Sequence, residues 1–151
     1  MLNPVSSSIA VTAGVRRDVT SSPARNAIAA VLRQDDILVD LAACSKERAF
    51  EDIARFVAAQ RGLPREDVLA SLLEREEIGS TALGQGFAIP HARVPGLLRP
   101  IAAFVRMEIA IPFDAPDGKP VSDLLVLLVP QRATDAHLLL LAEAAGMFCD
   151  V

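Results

Sequence analysis

His91, His137 and Arg75 are the residues whose types and spacing can do chemistry in this chain of 151 residues. His91 closes the stretch Gly79-Ser80-Thr81-Ala82-Leu83-Gly84-Gln85-Gly86-Phe87-Ala88-Ile89-Pro90-His91-Ala92-Arg93, which holds three of the eight glycines and one of the two histidines. The glycines would let backbone approach an anion, and Pro90 stiffens the chain directly before the imidazole. His137 falls in the first turn of a helix read from Asp135, where free amide N–H groups favour an anion and disfavour imidazolium. A neutral imidazole nitrogen attacks phosphorus without first losing a proton. The transferring group then needs N–H or positive donors around its oxygens; Arg75 offers two parallel contacts and His137 one more. The plainer alternative stands beside this one. A lone histidine is more often structural, and an arginine in a last helical turn commonly serves the helix dipole.

Other chemistries fare worse. Two histidines and the distant Cys44 and Cys149 give no zinc spacing, and no Gly-x-Ser-x-Gly elbow exists. No Walker loop is present, because Gly86 leads into Phe87, and no dinucleotide glycine spacing either. The net charge of −4 and the absence of Trp and Tyr argue against nucleic-acid binding. Cys44 and Cys149 read as reduced thiols packed as small hydrophobes in a cytoplasmic protein. No apolar run is long enough to cross a membrane, so direct membrane insertion is not expected.

The elements that must position these residues follow from periodicity. The length suits one domain that needs no disulfide or metal to close its core. Residues 1–22 carry no period, and 1–31 reads as a disordered extension, with a short helix over Ala24–Leu32 as the local alternative. An Arg/Ser-rich targeting peptide or an upstream start codon are further readings of that end. Ile37–Ala43 reads as extended. Ser45 caps a helix from Lys46 to Arg61 with Ala49, Phe50, Ile53, Ala54 and Val57 on one stripe, stopped by Gly62. Pro64 opens a second helix whose stripe is Val68, Leu69, Leu72 and Leu73. Arg75 lies on the edge of that stripe, while Glu74, Glu76 and Glu77 read as solvated surface. The glycine stretch is a loop, Phe87–Ile89 a short strand, and His91 stands where that strand ends. Ile101–Ile109 alternates, with Ile101, Ala103, Val105, Met107 and Ile109 on one face. Leu124–Val129 is apolar throughout, as a central strand covered on both faces would be. Thr134 caps the last helix, Asp135 to about Phe148. Helices and strands interleave, so the class is α/β with a mixed β-sheet flanked by helices.

The stretch from Glu74 to Arg93 resembles the signature of the enzyme IIA domains of the fructose–mannitol class, components of the phosphoenolpyruvate-dependent phosphotransferase system. Pro112 to Val121, the strand ending at Val129-Pro130, and Ala133-Thr134-Asp135-Ala136-His137-Leu138 are similar to the same family. The likeness runs from about Leu32 to the end and is greatest to the nitrogen-regulatory branch. It implies a mixed sheet of about five strands over residues 32–151 and no metal or organic cofactor. It implies phosphorylation of His91 by an HPr-type carrier or its nitrogen-branch counterpart, Arg75 as the phosphate's support and His137 as the second active-site histidine. It further implies regulation through the phosphorylation state, with a sensor kinase or transporter as partner. The alternative is delivery to a IIB domain for fructose- or mannitol-type uptake. Family members usually continue past the helix that ends here, so an exposed apolar face is expected, and a poorly folded remnant is a third reading.

Overall fold

The computed structural model of the chain describes residues 27–132 and 135–149. Helix α1 (Ala27–Val31) leads directly into strand β1 (Leu32–Leu41). Helices α2 (Lys46–Arg61) and α3 (Arg65–Ile78) follow, then strands β2 (Ala82–Gly84), β3 (Phe87–Ala88) and β4 (His91–Val94). The long strands β5 (Ile101–Ile111) and β6 (Val121–Pro130) lead to helix α4 (Asp135–Cys149).

The helix signals act as read. Ser45 accepts the Arg48 N–H at 3.2 Å through its hydroxyl, which satisfies a donor that the first turn leaves orphaned. Gly62 adopts φ 67° and donates to Ala58 O at 2.9 Å, closing α2 in the left-handed conformation that glycine takes without strain. Pro64 stands at the N-cap of α3, with Glu66 and Asp67 in the first turn. Of the earlier readings, Thr134 and residues 1–26 lie outside the described residues; Ala27–Val31 is helical, and Ile28 is buried.

The sheet has six strands, one more than the expected five, in the order β1-β5-β6-β3-β2 with β4 also paired to β6. It is mixed: β1 runs parallel to β5, β5 antiparallel to β6, and both β3 and β4 parallel to β6. Two of the six, β2 and β4, are not among the strands that the sequence predicts. Ala82–Gly84 pairs antiparallel with Phe87–Ala88, so the glycine stretch is a hairpin rather than a loop. Its turn is Gln85-Gly86, both at positive φ (54° and 85°), the geometry that matches a two-residue turn to strand twist.

Alternation sorts the strands onto two cores. Ile101, Ala103, Val105, Met107, Leu124, Val126 and Leu128 pack under α2 and α3 with Phe50, Ile53, Val68 and Leu72. Ala102, Leu125 and Leu127 face the opposite way and meet Ile28, Leu140 and Ala144 of α1 and α4. β6 is therefore covered on both faces, which its unbroken apolar run required. Ile109 departs from its expected face and is 74% exposed, because the register with β6 shifts between Arg106 and Ile111. Cys44 is exposed rather than packed: in the connection between β1 and α2 its neighbour Ala43 packs against the core instead. Leu138, Leu139 and Met147 leave an apolar face of α4 exposed. Among the described residues no helix is long and apolar enough to cross a membrane.

Candidate functional site

β3 and β4 are two halves of one line of backbone interrupted by Ile89-Pro90. Phe87 pairs with Asp123, Ala88 with Leu124 and His91 with Leu127, so the register on β6 passes through the interruption unchanged. Pro90 has no N–H to give, but its carbonyl accepts the Leu127 N–H at 2.9 Å, which holds the break against the sheet. His91 thus begins a strand instead of ending one. Ala92 and Val94 are buried in the core beneath α2 and α3. The intervening His91 and Arg93 therefore face the α4 side of the sheet.

The imidazole is held at both nitrogens. Nδ1 lies 2.8 Å from the carbonyl oxygen of Ile89, and Nε2 lies 3.0 Å from Nε of Arg75. A carbonyl only accepts and a guanidinium only donates, so the two neighbours fix the tautomer: Nδ1 carries the proton and Nε2 presents its lone pair. Burial holds the His91 pKa below the usual 6.5; the Ile89 carbonyl pulls it up, the Arg75 charge down, and the Glu76 charge up, with the downward effects prevailing. The ring is neutral at physiological pH as a result. Arg75 is anchored from its other end, its Nη1 donating to Gly79 O at 3.0 Å. It closes its own helix as the dipole argument asked and reaches the imidazole as well.

Arg75, His91 and His137 line one cleft of ≈ 440 Å³, with Ser71, Glu74 and Ile78 of α3 on one wall and Leu138, Leu140 and Leu141 of α4 on the other. All three residues singled out from the sequence are thus brought together. His137, 8% exposed, enters from the first turn of α4. Arg93 lines the same cleft as a second cation, and two-residue alternation from His91 was the signal for it.

Two readings of the surroundings are corrected. Glu76 is no solvated surface residue: its side chain is 6% exposed and receives Lys46 Nζ at 3.0 Å, Thr81 Oγ1 at 2.7 Å and Thr81 N at 3.1 Å. The signal was present, for Glu76 falls four residues after Leu72 and eight after Val68, on the buried stripe. The glycines of the hairpin serve the fold rather than an anion. A Cβ on Gly84 would stand 3.3 Å from Asp117 Oδ2, and one on Gly86 3.4 Å from Ser122 Oγ, while Gly86 O accepts the N–H groups of Ser122 and Asp123. Asp117, which accepts the Gln85 N–H at 2.7 Å, latches the hairpin to the β5–β6 connection. Neither Gly84 nor Gly86 lines the cleft. Among the described residues no group of three or more His, Cys, Asp or Glu could hold a metal ion.

A three-layered α/β sheet that holds a neutral histidine under an arginine defines a class, and comparison with known proteins names it. The family model of the phosphoenolpyruvate-dependent sugar phosphotransferase system, EIIA 2, matches residues 30–150, and the chain belongs to that family. Within it, the chain is similar to nitrogen regulatory proteins. It is 46% identical over 113 residues to the one from Pseudomonas aeruginosa, covering 73% of this chain and 72% of that protein. It is 40% identical over 121 residues to the one from Klebsiella oxytoca, covering 80% and 75% respectively. The crystal structure of the nitrogen regulatory protein IIA-Ntr from Neisseria meningitidis superposes with a TM-score of 0.76 at 43% identity, covering 82% of this chain and 84% of that one.

Proposed function

We propose that this chain is a phosphoryl-accepting regulator that takes a phosphoryl group onto Nε2 of His91 from an HPr-type carrier protein in the cytoplasm. The observation that supports this reading most is the arrangement at the imidazole: Nδ1–H on the Ile89 carbonyl and a free-electron-pair nitrogen turned toward Arg75 in an open cleft. The Nε2 lone pair forms the new bond to phosphorus, and the bond from phosphorus to the carrier breaks with its electrons returning to the carrier. The product is a charged imidazole ring, and Nδ1–H to the Ile89 carbonyl stabilises it without a proton leaving. Arg75 must first release Nε2; its donors then meet the phosphoryl oxygens, in the manner of an arginine clamp. His137, at the start of α4, adds a donor and the helix N-terminus beside the same point.

The output is regulatory. The relatives described above are nitrogen regulatory proteins, and their likeness supports a role in signalling nitrogen or carbon status through the phosphorylation state of His91. Delivery to a IIB domain for sugar uptake is the less supported reading. Incubation with phosphoenolpyruvate, enzyme I and the carrier is expected to give a hydrolysis-labile phosphohistidine that disappears in His91→Ala. Equal labelling of His91→Ala would remove the assignment. Phosphorylated and unphosphorylated chains are expected to retain different proteins in a pull-down, kinases or transporters among them; identical sets would count against a switch.

A further inference from the structure

The Ile89 carbonyl decides which nitrogen of His91 is free, yet Ile89 belongs to the short break between β3 and β4, where Pro90 donates no hydrogen bond. Something must hold that break still. The Ile89 N–H donates to Thr81 O at 3.0 Å. Thr81 is 6% exposed, and both its N–H and its hydroxyl donate to the Glu76 carboxylate, at 3.1 and 2.7 Å. Glu76 in turn receives Lys46 Nζ at 3.0 Å, and Lys46 also reaches Asp114 Oδ2 at 3.0 Å and lies 4.7 Å from the Phe113 ring centroid. We propose that Glu76 and Thr81 are positioning residues for His91, joined to it by hydrogen bonds that run from Lys46 to Glu76, Glu76 to Thr81, Thr81 to the Ile89 N–H and the Ile89 carbonyl to Nδ1, with the backbone of Thr81 and of Ile89 as the covalent links between them.

The line has a physical direction. Glu76 accepts three donors into a carboxylate that has almost no access to water, so each bond is charge-assisted and none is readily exchanged for solvent. Two of those donors are on one residue, which holds Thr81 by its backbone N–H and its side chain together. The Thr81 carbonyl then holds the Ile89 N–H, and one Cα further on the Ile89 carbonyl, ahead of the rigid Pro90 ring, points at the imidazole. Glu76 also adjoins Arg75 on α3, so the same carboxylate that places the Nδ1 partner sits in the helical turn that places the Nε2 partner. Loosening it is expected to release the ring at both nitrogens: the Nε2–H tautomer, which cannot attack, becomes populated. Misplacement of a reacting group by about 1 Å is worth up to roughly 100-fold in rate.

The ring tautomer reads the positioning without any phosphate donor, so it stands apart from the phosphoryl-acceptor reading on which the kinetic half rests. In the full chain, long-range proton–nitrogen NMR of the His91 ring at neutral pH should show one form, protonated at Nδ1. Thr81→Val keeps the shape and removes only the hydroxyl donor; it should admit the Nε2–H form and slow phosphorylation by the carrier on the order of 10-fold. Glu76→Gln should do more, and Thr81→Ser, which restores the hydroxyl, should return both readings to those of the parent. Should Glu76→Gln not fold, the Val and Ser pair decides the matter alone. A single Nδ1–H form and parental rate in a well-folded Thr81→Val would overturn the proposal. A tautomer shift in a chain that never accepts phosphate would leave the positioning standing and remove the phosphoryl reading instead.

Discussion

Nε of Arg75 donates to Nε2 of His91 at 3.0 Å, so the cation sits on the lone pair that would meet phosphorus. The contact joins the last turn of α3 to the first residue of β4 and does two things at once. It keeps Nε2 unprotonated, and it places a guanidinium where the charge of an arriving phosphoryl group will develop. Arg75→Ala should therefore raise the His91 pKa toward 6.5, because a positive neighbour is lost and water enters. Phosphoryl acceptance should fall by about 100-fold, the usual cost of one missing donor to a developing charge. A proton NMR titration of the His91 ring checks the first and initial labelling rates the second. An unmoved titration midpoint would mean that Arg75 contributes nothing to the ring's charge state.

The depressed His91 pKa has a signed consequence for pH. Folded His91 releases its proton below 6.5, while the unfolded chain still holds it there. Between these two values the unfolded state binds more protons, so stability falls as pH falls through that window and stops falling, for this group, beneath the folded value. Phosphoryl acceptance should stay flat down through 6.5 and decline only as pH falls through the lower folded value, where the neutral ring is lost. Denaturant midpoints measured across the window should slope more steeply for the parent than for His91→Ala. Equal slopes would contradict the assignment of that proton to His91.

The three residues of the cleft were legible in the sequence because each bore a local mark: a proline before His91, a helix start before His137, and a charge on an apolar stripe at Arg75. The second and third ranks of the site were less so. Glu76 carried the same periodic mark as Arg75, yet three glutamates around one arginine resemble a solvated helix end, and only the fold shows Thr81 and Lys46 converging on the middle one. The glycine stretch was misread for a physical reason. Gly, Gln and Ser give no alternation, and β2 is three residues long, so its pairing is fixed by the Gln85-Gly86 turn and by Asp117 from across the fold. The β5 register shift that exposes Ile109 is likewise a property of the strand pair, and no single strand announces it.

Two glycines should respond oppositely to alanine. Gly86 holds φ 85° in the hairpin turn, and a Cβ there would stand 3.4 Å from Ser122 Oγ. Gly86→Ala should cost about 1–3 kcal/mol through backbone strain. Gly146 lies exposed within α4, with nothing within 4 Å of an added Cβ. Gly146→Ala should stabilise by about 0.5–1 kcal/mol through helix propensity. Thermal melts of the two variants should move in opposite directions; a matching shift would mean that one of these backbone conformations is not the one described.

Phe50 connects the core to the site. It is fully buried and meets the Phe113 ring edge to face at 5.9 Å, while Phe113 lies beneath Lys46 and accepts Ser80 Oγ at 2.6 Å through its carbonyl. Phe50→Ala removes a whole ring from a packed interior and should cost about 3–5 kcal/mol. The cavity opens directly under Phe113, so relaxation of that residue would disturb Ser80 and Lys46 before it reached α4. Phe113→Leu keeps much of the volume and should cost less, yet it removes the ring that Lys46 overlies. Urea unfolding gives the two stabilities, and the His91 ring signals report whether the disturbance travels. A Phe50→Ala loss under about 1 kcal/mol would require this interior to collapse without a cavity, which the packing of Phe50 against the sheet and Phe113 does not allow.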